Sequence, residues 1–129
     1  MGHPPRQPVR VLLVDDEPIF LEALRALLET DVRVNVVAVA ENGPDAIDLA
    51  AAVQPDVALV DLALPGVDGF ETTRLLLAQA PAIKVVVISG LSDGTGASAA
   101  HEAGASRFLF KGGLHEEIAD AIVDAHLAA

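Results

Sequence analysis

The chain has no cysteine, which excludes both a disulfide framework and a thiolate metal site. It also lacks tryptophan and tyrosine, and aromatic residues make up only 3% of it, so the stacking platforms that bind single-stranded nucleic acid are missing. Basic residues are scarce too: 8 Lys and Arg stand against 19 Asp and Glu, for a formal net charge of -11. Those few are scattered. Direct nucleic-acid binding by this chain needs clustered Lys and Arg to neutralise phosphates, and is not expected. No stretch approaches the roughly 20 apolar residues of a membrane span, and the start MGHPPRQPVR has no apolar signal-peptide centre. The expectation is a cytoplasmic protein with no membrane partner. His3, His101, His115 and His126 show no short metal-ligand spacing.

What is present suits one domain, since 129 residues can bury a core without a structural metal. Residues 1–8 carry Pro4, Pro5 and Pro8 without periodicity and read as a loose leader or cloning remnant, leaving 9–129 as the domain. Five apolar runs follow: VRVLLV (9–14), VNVVAVA (34–40), DVALV (56–60), IKVVVIS (83–89) and SRFLF (106–110). Most are continuous rather than alternating, as in parallel strands covered on both faces. Between them apolar residues recur at helical spacing, as in Phe20, Leu24, Leu27 and Leu28, or Leu114, Ile118, Ala121, Ile122 and Ala125. The order is β-α repeated, which predicts a doubly wound α/β domain with a five-stranded parallel sheet. Pro18 suits a first helical turn, Gly43-Pro44 a second helix start, and Pro55 and Pro81 the ends of the second and third helices. Segment 92–103, with Gly94, Gly96 and only alanines as apolar groups, is expected to be the helix most easily displaced.

Residues just past the strand ends of a parallel sheet gather on one edge, where ligands bind. Here they are Asp15 and Asp16, Asp61, Ser89 and Lys111. Each has an ordinary reading: the acids as a helix cap and a turn residue, Ser89 as a local hydrogen-bonder to backbone, Lys111 as a solvated surface lysine. Jointly they suggest more. Crowded carboxylates repel unless a cation compensates, and a few hard oxygens completed by water suit Mg²⁺, with Mn²⁺ as a substitute. Acids holding a metal beside an ammonium and a hydroxyl fit phosphoryl transfer, in which a free aspartate can act as nucleophile. Asp68, just before Gly69 and Phe70, reads instead as a helix cap.

The stretches VDDEP (14–18), VDLALPGVDGFE (60–71), VVVISG (85–90) and EAGASRFLFK (102–111), with their intervals, resemble a CheY-like response-regulator receiver domain over about residues 9–127. The resemblance implies flavodoxin-like strand order 2-1-3-4-5. It also implies Asp61 as phosphoacceptor, Asp16 as a direct Mg²⁺ ligand, Asp15 supporting the metal through water, and the backbone carbonyl of Ala63 as a further ligand. Ser89 and Lys111 would contact the phosphoryl oxygens, and Phe108 would be the aromatic that swings inward. The phosphoryl donor would be a histidine kinase or phosphotransfer protein, and partners would read the face of helix 4, strand 5 and helix 5. The protein would be a switch in a two-component system rather than an enzyme. VDDEPIFLEALRALLE is similar to the start of NarL/LuxR-like transcription regulators. That likeness admits two forms, a receiver cut from a regulator with a C-terminal DNA-binding output domain outside this chain or a stand-alone receiver, and it admits a homodimer formed on phosphorylation.

Rival readings have specific discriminators. A haloacid-dehalogenase-like phosphatase needs a general-acid Asp where Ala63 stands, and a flavodoxin-like flavin carrier would not place Asp15-Asp16-Glu17 in its phosphate loop. A receiver acting as a constitutive, phosphorylation-independent binding module remains the alternative, because Lys111 precedes Gly112 and Gly113 where the family usually has proline across a cis peptide. A trans or looser lysine loop is expected, with slower or weaker activation than a Lys-Pro receiver shows. Gly112→Pro is therefore expected to raise the rate of phosphorylation and partner binding; unchanged values in both assays contradict that expectation.

Overall fold

The computed structural model describes residues 7–91, 94–113 and 117–128. The proline-rich leader lies mostly outside that range, as do Leu114 and the start of the 92–103 segment. The elements are β1 (Val9–Val14), α1 (Pro18–Glu29), β2 (Val34–Ala40), α2 (Gly43–Val53), β3 (Val57–Asp61), α3 (Gly69–Gln79), β4 (Lys84–Ser89), α4 (Ala97–Glu102), β5 (Arg107–Phe110), a 3₁₀ turn (Lys111–Gly113) and α5 (Glu117–Leu127). The strands are all parallel, in the order β2-β1-β3-β4-β5.

The continuous apolar runs have the predicted cause. Along each central strand successive side chains point to opposite faces. On one face Val11, Leu13, Val57, Leu59, Val86 and Ile88 meet α1 and α5 through Leu24, Leu28, Ile118 and Ile122. On the other Leu12, Val14, Ala58, Val60, Val85 and Val87 meet α2, α3 and α4 through Ala46, Ala50, Leu76 and Ala100. Both faces are dry, so polar alternation would leave buried groups unpaired.

Helix ends follow local chemistry. Pro18 occupies the first turn of α1, Asn42 caps α2 by accepting from the Asp45 N–H, and Asp68 caps α3 by accepting from the Glu71 N–H at 2.9 Å. Asp68 is thus the cap that its position before Gly69 predicted. α4 spans six residues and buries only Ala100, which makes it the lightest helix.

One strand differs from the sequence reading. β3 includes Asp61, which pairs with Ile88, and the next N–H, that of Leu62, donates to the Ile88 carbonyl at 2.8 Å. The ladder extends because α3 returns tightly over the strand end. The Gly69 N–H donates to the Leu62 carbonyl at 3.0 Å, and a Cβ on Gly69 would lie 2.5 Å from the Asp61 carbonyl oxygen and 2.7 Å from Leu62 Cα. Both obstacles are backbone and cannot swing aside. Gly69→Ala is expected to cost about 1–3 kcal/mol, measured by chemical denaturation followed by far-UV circular dichroism, since the chain has no tryptophan to report.

Candidate functional site

β1 and β3 are neighbours, and each ends in an acid at the same edge. Asp15 follows β1, its N–H donating to the Ala40 carbonyl at 3.0 Å, and is buried; Asp61 closes β3 and is buried too. Asp16 is exposed at the mouth of the site. Ligand oxygens of Asp15, Asp16 and Asp61 all lie within 4.8 Å of one another, an arrangement able to hold a metal ion.

The two oxygens of Asp15 have different surroundings. Oδ1 accepts from the Glu17 N–H at 2.8 Å, closing a turn before α1. Oδ2 is buried and has no aligned hydrogen bond among the described residues, although the Lys111 ammonium lies 2.8 Å away. A buried oxygen with open lone pairs, facing other carboxylates, fits a hard cation. Asp61 Oδ1 accepts from the Ala63 N–H at 3.3 Å, and its Oδ2 lies 3.4 Å from Lys111 Nζ.

Lys111 is not the solvated surface lysine that its residue type suggests: its side chain is only 12% exposed. The ammonium touches Asp15, Glu17 and Asp61 and lies 4.2 Å from the centroid of the Phe20 ring. Burial works against its charge, but the contacts with Asp15 and Glu17 prevail, helped by the Asp61 charge, and its pKa is pushed up to about 12. Asp61 moves the other way from the ordinary acid: burial first, then repulsion from Asp15, raise its pKa against the opposing pull of Lys111. The Lys111–Gly112 peptide is trans, as the missing proline led us to expect. The lysine is nevertheless held, from its charged end.

Ser89 is buried at the end of β4, and its Oγ accepts from the Leu91 N–H at 3.1 Å. In this conformation it has the local backbone bond of its ordinary reading. Phe108 is half-buried on β5 and, with Ala97, His101 and Ala105, lines a cavity of about 160 Å³ between α4 and β5. Ala63 is exposed in the loop after β3, at the rim of the acid cluster.

A family model described as the response regulator receiver domain matches residues 11–123. The chain belongs to the response regulator receiver family. Among solved structures, the signal receiver domain of the putative response regulator NarL from Mycobacterium tuberculosis superposes with a TM-score of 0.89 at 33% identity, covering 95% of this chain and 99% of that one. A LuxR-family two-component response regulator from Aurantimonas superposes at 0.87 with 34% identity, covering 92% of this receiver and 85% of that chain. Among curated relatives, the transcriptional regulatory protein LiaR of Bacillus subtilis is 36% identical over 114 residues, 88% of this receiver and 54% of that protein. The receiver spans about half the length of the transcriptional regulators it matches, and 24% of a Methanospirillum hungatei protein-glutamate methylesterase. Among the described residues no helix is long and apolar enough to cross a membrane.

Two neighbours of Lys111 escaped the sequence reading. Glu17 was one more acid in a cluster, and Phe20 was a core position at helical spacing. Only the path of β5 back to the start of α1 reveals both as lysine contacts.

The raised Asp61 pKa has a stability consequence. Above that pKa, ionised Asp61 costs the folded state free energy. As the pH falls through it, the folded chain binds a proton that the unfolded chain accepts only at lower pH, and the cost disappears. Without divalent cations, Asp61→Asn is expected to melt at a higher temperature than wild type at neutral pH. That advantage should shrink as the pH is lowered into the ordinary carboxylate range, as followed by circular dichroism melts across a pH series.

Proposed function

We propose that this receiver is a phosphorylation-dependent switch in which Asp61 accepts a phosphoryl group from a histidine kinase or phosphotransfer protein. The observation that carries the reading is the buried Asp61 carboxylate, presented rigidly at a strand end beside Asp15, Asp16 and the Lys111 ammonium. In the transfer, an Asp61 oxygen forms the new O–P bond while the P–N bond of phosphohistidine breaks and the imidazole leaves with the bonding pair. Asp15, Asp16 and Asp61, with the backbone carbonyl of Ala63, would hold Mg²⁺ or Mn²⁺. When bound, such an ion offsets the charge of the carboxylates and of the incoming phosphoryl oxygens.

The chain's own residues do the rest. A phosphoryl group adds about -1.5 to -2 charge and three strong acceptors. Lys111, already 3.4 Å from Asp61 Oδ2, turns toward the new oxygens. Ser89, whose Oγ accepts from the Leu91 N–H, donates its hydroxyl proton to a phosphoryl oxygen, drawing in the loop that leads to α4. α4 buries only Ala100 and so moves at little cost, and the cavity beside Phe108 offers space for its ring to shift. The altered face of α4, β5 and α5 then presents the signal. An output domain that binds DNA, a homodimer formed on phosphorylation and a cytoplasmic location complete the proposal, supported by the transcriptional regulators among the relatives. The receiver is read as an aspartyl phosphoacceptor, not an enzyme: Ala63 supplies no general acid for a haloacid-dehalogenase-like reaction. The engaged position of Lys111 weighs against a receiver indifferent to phosphorylation.

Intact-mass measurement after incubation with acetyl phosphate and Mg²⁺ tests this. Wild type is expected to gain one phosphoryl group, lost on chelation of the cation before the reaction and absent in Asp61→Asn. A wild type that never gains an Asp61-dependent adduct overturns the proposal.

A further inference from the structure

Lys111 has an unusual problem of placement. Its side chain is long and loses considerable rotamer freedom when its end is fixed. The residues after it, Gly112 and Gly113, have no side chains to pin the turn. Position must therefore come from the ammonium end, where the structure offers Asp15 Oδ2 at 2.8 Å, Asp61 Oδ2 at 3.4 Å, the Glu17 carboxylate and the face of Phe20. The acids pull in different directions: buried Asp15 and Asp61 draw the ammonium inward. Glu17 is 62% exposed and draws the charge toward water, away from Asp61.

We propose that Phe20 is a positioning residue for Lys111, its ring holding the ammonium between Asp15 and Asp61 so that it is ready for the phosphoryl group. This rests on the phosphoacceptor reading of Asp61. The ring suits the task for three reasons. Its centroid lies 4.2 Å from Nζ, within cation–π range. It attracts the cation without accepting a conventional hydrogen bond, so the ammonium donors remain free for oxygens, unlike an added carboxylate. It is also rigidly mounted: Phe20 lies in the first turn of α1, whose start Pro18 sets, and packs against the core that contains Leu24 and Leu28. Phe20 thus supplies from α1 the constraint on Lys111 that the Gly112-Gly113 backbone does not.

The test combines a local spectroscopic signature with phosphorylation. In wild type, nuclear magnetic resonance should show the Lys111 Cε protons shifted upfield by the ring; Phe20→Tyr should keep that shift and Phe20→Leu should lose it. Asp61 phosphorylation by acetyl phosphate and affinity for beryllofluoride should fall roughly three- to tenfold in Phe20→Leu and stay within about twofold in Phe20→Tyr. If Phe20→Leu does not fold, a trifluorinated phenylalanine at position 20 keeps the shape while weakening the π face, and the same fall in rate and affinity is expected. Unshifted Lys111 protons in wild type, or rates and affinities in the leucine or fluorinated variant equal to wild type, overturn the inference. An equal fall in the tyrosine and leucine variants also overturns it, because the ring would then act only by packing. Failure of wild type to be phosphorylated at all refutes the phosphoacceptor reading instead, while the proton shift still reports whether Phe20 holds the lysine.

Discussion

Two carboxylates, Asp15 and Asp61, are buried at the ends of adjacent strands and share one ammonium, that of Lys111. Left alone, such a pair would drive one acid to stay protonated; burial first, and then repulsion from Asp15, raise the pKa of Asp61. Lys111 offsets part of that rise. With Asp16 and Glu17 also at the mouth, the site carries more negative charge than one lysine balances, so it is disposed to receive a cation.

The fold makes that crowding affordable by preventing the acids from retreating. Asp61 is the last rung of β3, flanked by the ladder to Ile88, and Asp15 continues the β1·β2 ladder through its N–H. Gly69 lets α3 close over the Asp61–Leu62 backbone, and buried Leu64 ties the intervening loop to the core. The contrast is α4, the helix that follows β4, which buries a single alanine. A charge change at Asp61 therefore meets a stiff floor and a yielding neighbour, which is the arrangement a two-state response needs.

Glycine at 112 illustrates how one departure is absorbed. A Cβ there would stand 2.6 Å from the Phe110 ring, so the ring lies over the space a side chain would occupy. Lys111 is meanwhile gripped by Asp15, Glu17 and Phe20, and the trans peptide does not set it adrift. The contacts that hold this lysine lie at its ammonium.

Much was legible in the sequence because its causes are local or periodic. Continuous apolar runs announced strands covered on both faces, helical spacing announced the crossovers, and Pro18, Gly43-Pro44 and Asp68 marked helix starts. The acids, Ser89 and Lys111 followed from the single rule that parallel strands deliver their C-terminal residues to one edge. Strand order came only with the family resemblance, since periodicity does not say which strands are neighbours. The rest required the tertiary structure. Nothing in the order of residues says that the Lys111 side chain is mostly covered, or that Glu17 and Phe20 meet an ammonium 94 and 91 positions later. Those facts depend on where β5 ends relative to α1. The sequence by itself determined the elements and the chemical inventory of the edge; the packing of helices against the sheet decided which of those groups touch, because contact between distant residues is a property of the closed fold.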